Sequence, residues 1–173
     1  ELQKIPCIEV NGNKCTVPKL EDVINVCKGK IKLNIEIKTG NNDSEDFVSD
    51  VVKIIENTDF VDKCVVTSLD YRALRKVKEC NPKIKTGYIM AVAMGDFYDL
   101  PCVDFFRMET TFVNGRVVER AHKLNKEIHV WTVNDDDSLK KCVELEVDNI
   151  ITDNVAGAKS AIATHGDDVF SIV

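Results

Sequence analysis

The period of apolar residues changes repeatedly along the chain, and each change predicts an element. Residues 30–38 (KIKLNIEIK) alternate apolar and polar, as a strand with two unlike faces does. Residues 44–57 instead line up Val48, Val51, Val52, Ile54 and Ile55 on one helical stripe, with Asp43 or Ser44 as N-cap. Residues 63–68 predict a short β-branched strand, and Ser68 caps a helix running through Leu69, Leu74, Val77 and Cys80. That helix stops at Asn81-Pro82, because proline cannot continue it. Further strands are predicted at 83–90, 103–108, 127–133 and 148–152, with a less regular stretch around Gly95. Helices fill 114–125 (Val117, Val118, Ala121 and Leu124 inward), 135–145 behind three acids, and 156–163.

Strict alternation of strand and helix is the rhythm of βαβ units in a parallel sheet, which places the chain in the α/β class. Residues 1–173 show no Gly/Ser-rich linker and no composition shift, so one domain is expected. Two architectures fit: a doubly wound open sheet, or part of a TIM (β/α)8-type barrel. The doubly wound sheet expects near-continuous apolar strands. Here Asn34, Glu36 and Lys38 in one strand, and His129 and Trp131 in another, take alternate positions. A barrel turns such rows inward and brings their C-terminal residues to its mouth. Six βα units can be counted, two fewer than a closed barrel needs, so an incomplete barrel is expected.

Composition narrows the partners. The chain has 173 residues, 44% hydrophobic and 30% charged, with 23 basic against 29 acidic side chains. A net charge of −6 without a basic block argues against a nucleic-acid surface. No run of about 18 apolar residues is present, and the first ten residues lack the features of a secretory signal. The seven cysteines are widely spaced, with no Cys-x-x-Cys pair, so a zinc or redox cluster is not expected. They read as reduced apolar side chains, with a Cys7–Cys15 disulfide as the alternative.

Candidate chemistry gathers at strand ends. Glu36 and Lys38 project from the same face and either bind a metal and a phosphate or form one solvated face. Trp131 and Asn134 are placed to line a ligand pocket, although a lone tryptophan in a strand is commonly core. Thr152, Asp153 and Asn154 repeat that arrangement at the end of the last strand, Asn154 reading best as a helix cap. Glu109 faces the mouth or is a loop charge. Of the three histidines, His122 reads as an outer helical residue and His165 as part of the tail. His129 has the better position, although a strand histidine is commonly a satisfied core group. No nucleophile elbow, phosphate loop or His-Glu-x-x-His motif occurs.

Taken in order, VPKLEDVI (17–24), LNIEIK, VVTSLDY, KTGY, DFF, the AHK helix, HVWTVND and NIITDN resemble the glycerophosphodiester phosphodiesterase family over nearly the whole chain. The resemblance implies a TIM barrel that hydrolyses glycerophosphodiesters to glycerol 3-phosphate and an alcohol with Ca²⁺ or Mg²⁺. It implies that Glu36 is a metal ligand, that Lys38 contacts the substrate phosphate and that Trp131 borders the pocket. Gly87-Tyr88 and AVAMGDFYDL are most similar to members with a membrane-spanning region elsewhere. The location implied is therefore cytoplasmic, or membrane-associated through other parts of a parent protein.

The departures carry their own expectations. The family's His-Arg-Gly strand, its Glu- and Asp-bearing strand and its His-Asp pair have no counterpart here; Glu1-Leu2-Gln3 matches the segment just after them. The resemblance therefore covers the third to eighth barrel strands, and the chain alone is expected to be a poor catalyst with an incomplete metal site. Arg107 stands where many members have a small residue. The alternative is a degenerate, non-catalytic barrel that binds a phospho-ligand or a partner protein. Six parallel strands in sequence order are expected, with Glu36, Lys38 and Trp131 at one rim. Exposed edges at 30–38 and 148–152 predict a homo-oligomer.

Overall fold

A computed structural model describes the backbone at residues 6–10, 13–41, 43–90, 96–165 and 171–172, and the side chains of 15–41, 43–90 and 96–163. Gly95, and the side chains of Cys7 and His165, lie outside the described residues. An antiparallel hairpin comes first, β1 (Pro6–Val10) and β2 (Asn13–Thr16), followed by α1 (Leu20–Cys27). Neither strand is among those predicted above. Their sequence signal is Asn11-Gly12 between two short runs, a dipeptide favoured in two-residue hairpin loops.

The remaining elements alternate: β3 (Leu33–Glu36), α2 (Phe47–Asn57), β4 (Cys64–Ser68), α3 (Tyr71–Cys80), β5 (Lys85–Met90), β6 (Phe105–Glu109), α4 (Gly115–Lys123), β7 (Glu127–Trp131), α5 (Asp136–Glu144), β8 (Asn149–Ile150), α6 (Val155–His165) and β9 (Ser171–Ile172). β3 to β9 form one parallel sheet in sequence order. A doubly wound sheet reverses its strand order at a switch point; this one never does. The expected six strands are present in the expected order. β9 adds a seventh, so 148–152 is not a free edge as expected; it pairs with Ser171–Ile172.

One face of the sheet is apolar. Ile35, Val66, Phe106, Met108, Ile128, Val130 and Ile150 pack against the helices in two clusters. α3 joins them, giving Leu74 to one cluster and Ala73 and Val77 to the other. The opposite face carries Asn34, Glu36, Thr67, Lys85, Gly87, Phe105, Arg107, Glu127, His129 and Trp131, alternating with the first set as strand geometry requires. Arg107 of β6 meets Glu36 of β3, three strands away. Strands lie about 4.8 Å apart and side chains stand nearly perpendicular to them. The two residues therefore meet because the sheet curls with its polar face inward, as a barrel wall does.

Helix caps depart from expectation in two places. α3 is capped by Asp70, whose carboxylate accepts from Arg72 N at 2.9 Å, and not by Ser68. Ser68 Oγ donates to Ile37 O at 2.7 Å and accepts from Asp70 N at 3.0 Å, and Leu69 is exposed outside the helix. α2 begins beyond Asp43 and Ser44, because Asp43 folds back to accept from Gly40 N. Leu124, expected inward, is exposed at the end of α4. Asn114, Asp135 and Asn154 do cap α4, α5 and α6. Three helices end alike: Asp59, Asn125 and Glu146 take positive φ, and the next N–H bonds five residues back.

Candidate functional site

The inward face divides into a floor and a rim. At the floor, Phe105 lies over Gly87, where a Cβ would come within 2.1 Å of the ring. Glycine is needed there for lack of space. His129 stacks on Phe105 with centroids 3.9 Å apart, and its Nε2–H donates to Glu127 at 2.9 Å. Lys85 completes the cluster with a salt bridge to Glu127. The hydrogen bond from His129 and the Lys85 charge outweigh burial and hold the Glu127 carboxyl down to about 2. Burial lowers the His129 pKa despite the attraction of Glu127. His129 is thus a satisfied core histidine.

The rim lies at the C-terminal strand ends. Glu36 receives Arg107 Nη1 at 3.3 Å on one oxygen and faces Lys38 Nζ at 3.8 Å on the other. The Arg107 guanidinium carbon sits 5.8 Å from the Trp131 ring centre, a cation–π contact. Glu36, Lys38 and Trp131 are therefore brought to one rim, and Arg107 links them. A cleft of about 580 Å³ beside Glu36 and Lys38 is lined also by Thr39, Ser68, Asp70 and Arg72. Asp70 there accepts from Thr39 and Arg72, and the Arg72 hydrogen bonds keep its carboxyl below the usual range.

Other candidates find structural partners. Asn134 bonds Asp153 (2.8 Å) and Thr152 (3.1 Å), tying the loop after β7 to the loop after β8. Glu109 closes β6 in register with Trp131 and faces the mouth, where it lines a second cleft of about 390 Å³ with Thr132, Asp135 and Lys141. His122 bonds Asp148, which also accepts from Ile128 N at the start of β7, so it lies at the far end of the sheet from the rim. Cys27, Cys64, Cys80, Cys102 and Cys142 are free thiols, and burial pushes Cys64 and Cys142 up to about 11. Among the described residues no helix is long and apolar enough to cross a membrane.

Arg107 is the rim residue whose role sequence reasoning did not reach. Its signal was the alternation Phe105, Arg107, Glu109, which puts it on the same face as His129 and Trp131.

Comparison with known proteins bears on the fold and the family. The chain is 24% identical over 142 residues to a glycerophosphodiester phosphodiesterase of Caldanaerobacter subterraneus, covering 80% of this chain and 58% of that protein. It is 24% identical over 143 residues to glycerophosphodiester phosphodiesterase GDPD4 of Arabidopsis thaliana, covering 79% and 43%. The chain thus spans about half the length of these relatives. In fold, it superposes on a glycerophosphodiester phosphodiesterase from Parabacteroides distasonis with a TM-score of 0.80 at 16% identity, covering 96% of this chain and 71% of that one. It also matches an Oleispira antarctica phosphodiesterase, solved with its product sn-glycerol-3-phosphate, with a TM-score of 0.76 at 21% identity, covering 86% and 62%. The sequence profile of the glycerophosphoryl diester phosphodiesterase family matches residues 2–156, and the chain belongs to that family.

Proposed function

We propose that the rim binds the phosphate of a glycerophosphodiester and contributes to its hydrolysis to glycerol 3-phosphate and an alcohol. The observation that carries this reading is the convergence of Glu36, Lys38 and Trp131 at one strand-end rim in a chain of this family. Lys38 offers a mobile ammonium to a phosphate oxygen, adding positive charge where negative charge builds up in the transition state. Trp131 supplies a flat apolar wall for the glycerol carbons.

The resemblance also implies Ca²⁺ or Mg²⁺, with Glu36 as ligand. Ca²⁺ takes about 6 to 8 oxygen ligands, and Mg²⁺ binds through one or two carboxylates plus substrate oxygens and water. Glu36 already faces two cationic side chains, and among the described residues no three His, Cys, Asp or Glu side chains gather as a metal site. This donor set does not fit a divalent cation.

A second reading, phospho-ligand binding without turnover, draws on the histidines. His129 is buried at the floor and His122 lies at the far end, so neither described histidine stands at the rim as acid or base. Incubating the chain with glycerophosphocholine and assaying choline release separates the two readings. Release that is lost on Lys38→Gln supports hydrolysis; glycerol 3-phosphate binding without release supports the second reading; absence of both overturns the assignment of the rim.

A further inference from the structure

Arg107 is used far below its capacity. A guanidinium carries five N–H donors in a planar fork, yet among the described residues Arg107 makes one hydrogen bond, from Nη1 to Glu36 at 3.3 Å. Its Nε–H is buried without a partner, and so is the Nε1–H of Trp131 beneath it. Buried donors of this kind are costly unless an acceptor arrives. The edge of the fork that Glu36 leaves unused, Nε with Nη2, is the edge that grips two oxygens of one phosphate. Lys38 stands on the other oxygen of Glu36, so the three side chains together carry one positive charge.

The charge pattern separates Arg107 from a purely structural arginine. At the floor, Lys85, Glu127 and His129 pair off, and none of their side-chain nitrogens or oxygens is buried without a partner. At the rim, one carboxylate serves two cations, and two buried donors remain. The Trp131 ring limits where the guanidinium can move while leaving its charge intact.

We propose that Arg107 is a phosphate-binding residue: its Nε–Nη2 edge takes two oxygens of the ligand's phosphate while Lys38 takes a third, and Glu36 holds the guanidinium in place until the anion arrives. The proposal deepens the reading of the rim given above and rests on it. It asks for a phosphomonoester or phosphodiester and for no metal ion. It also makes Glu36 a competitor of the ligand as well as a support.

The chain contains one tryptophan, so Trp131 fluorescence reports on this site alone. Titrating the full chain with sn-glycerol 3-phosphate in the presence of a chelator should give a saturable change. Arg107→Gln should weaken binding by at least about tenfold, the loss of charge-assisted hydrogen bonds. Arg107→Lys, which keeps the charge without the fork, should fall between wild type and Arg107→Gln. Glu36→Gln should bind at least as tightly as wild type, because a competing carboxylate has gone. Circular dichroism confirms that each variant is folded, and a misfolded Arg107→Gln leaves Arg107→Lys and Glu36→Gln to decide. Undiminished binding by Arg107→Gln, or by Arg107→Lys where it decides, together with a loss in Lys38→Gln, overturns the role of Arg107 and leaves the reading of the rim standing. Glu36→Gln losing affinity as Arg107→Gln does would make the pair structural and also overturn the proposal. A wild-type chain that shows no binding overturns both.

Discussion

The floor and the rim of the curled sheet are built from the same three kinds of group: an acid, a cation and an aromatic ring. At the floor these are Glu127, Lys85 and Phe105, with His129 stacked on the ring. At the rim they are Glu36, Arg107 and Trp131. The floor closes on itself, with each polar group partnered and the ring fully buried above a glycine. The rim leaves the buried donors of Arg107 and Trp131 unpartnered, and its Glu36 and Lys38 line a cleft. Similar chemistry is thus hydrogen-bonded to completion at the floor and left incomplete at the rim, where the ligand is proposed to bind.

The largest effect that would break this comparison is expected at Phe105. Phe105→Ala removes a fully buried ring and the stacking partner of His129, and should cost about 3–5 kcal/mol in chemical denaturation. Gly87→Ala forces a methyl group into the same ring and should cost about 3 kcal/mol. The double variant should lose less than the sum, because removing the ring removes the clash. An additive double variant would show that Gly87 is constrained by something other than Phe105.

Acid comes next, and both titrating floor groups act in the same direction. Glu127 titrates near 2 in the folded chain against an ordinary 4.5, so its stabilising charge is complete above about 4.5 and is lost as pH falls towards 2. His129 is held below its ordinary 6.5, so below that pH the unfolded chain takes up a proton that the folded chain refuses, and stability falls again. Denaturation midpoints should decline from pH 7 to pH 3, and Glu127→Gln should flatten the portion below about 4.5. An unchanged slope in that variant would remove Glu127 from the account.

At the rim, Glu36→Gln and Arg107→Gln should change stability by less than about 1 kcal/mol, because half-open ion pairs contribute little. A loss as large as that of Phe105→Ala would place the rim with the floor. The smallest effect lies at the helix ends: Glu146→Gly should stabilise by about 0.5–1 kcal/mol, since glycine accepts the positive φ without strain. Asn125→Gly should gain less, because asparagine tolerates that conformation better.

Much of this was legible in the chain. The period change at 30–38 against 44–57 marked a strand and a helix, and the polar row Asn34, Glu36 marked an inward face that a doubly wound sheet would not have. The cap at Asn154 was legible, and the caps were missed where neighbouring side chains competed. Ser68 lost its predicted role to Asp70, whose N–H it accepts, while its own O–H reaches Ile37 O, distant in sequence. The Glu36–Arg107 pair was hidden for the same reason: it spans 71 residues and exists only because three intervening strand steps curl the sheet. Periodicity shows which face a side chain takes, not which side chain it meets across that face.

The central claim is that the rim receives a phosphate ester and the floor does not. Two-dimensional ¹H–¹⁵N NMR of the full chain, titrated with sn-glycerol 3-phosphate in the presence of a chelator, tests it in one measurement. The account predicts progressive shifts at the Trp131 indole N–H and at the backbone amides of Glu36 to Thr39 and Arg107 to Thr110. The amides of Lys85, Glu127 and His129 should stay still. Shifts centred on the floor, or none at saturating ligand, would contradict it.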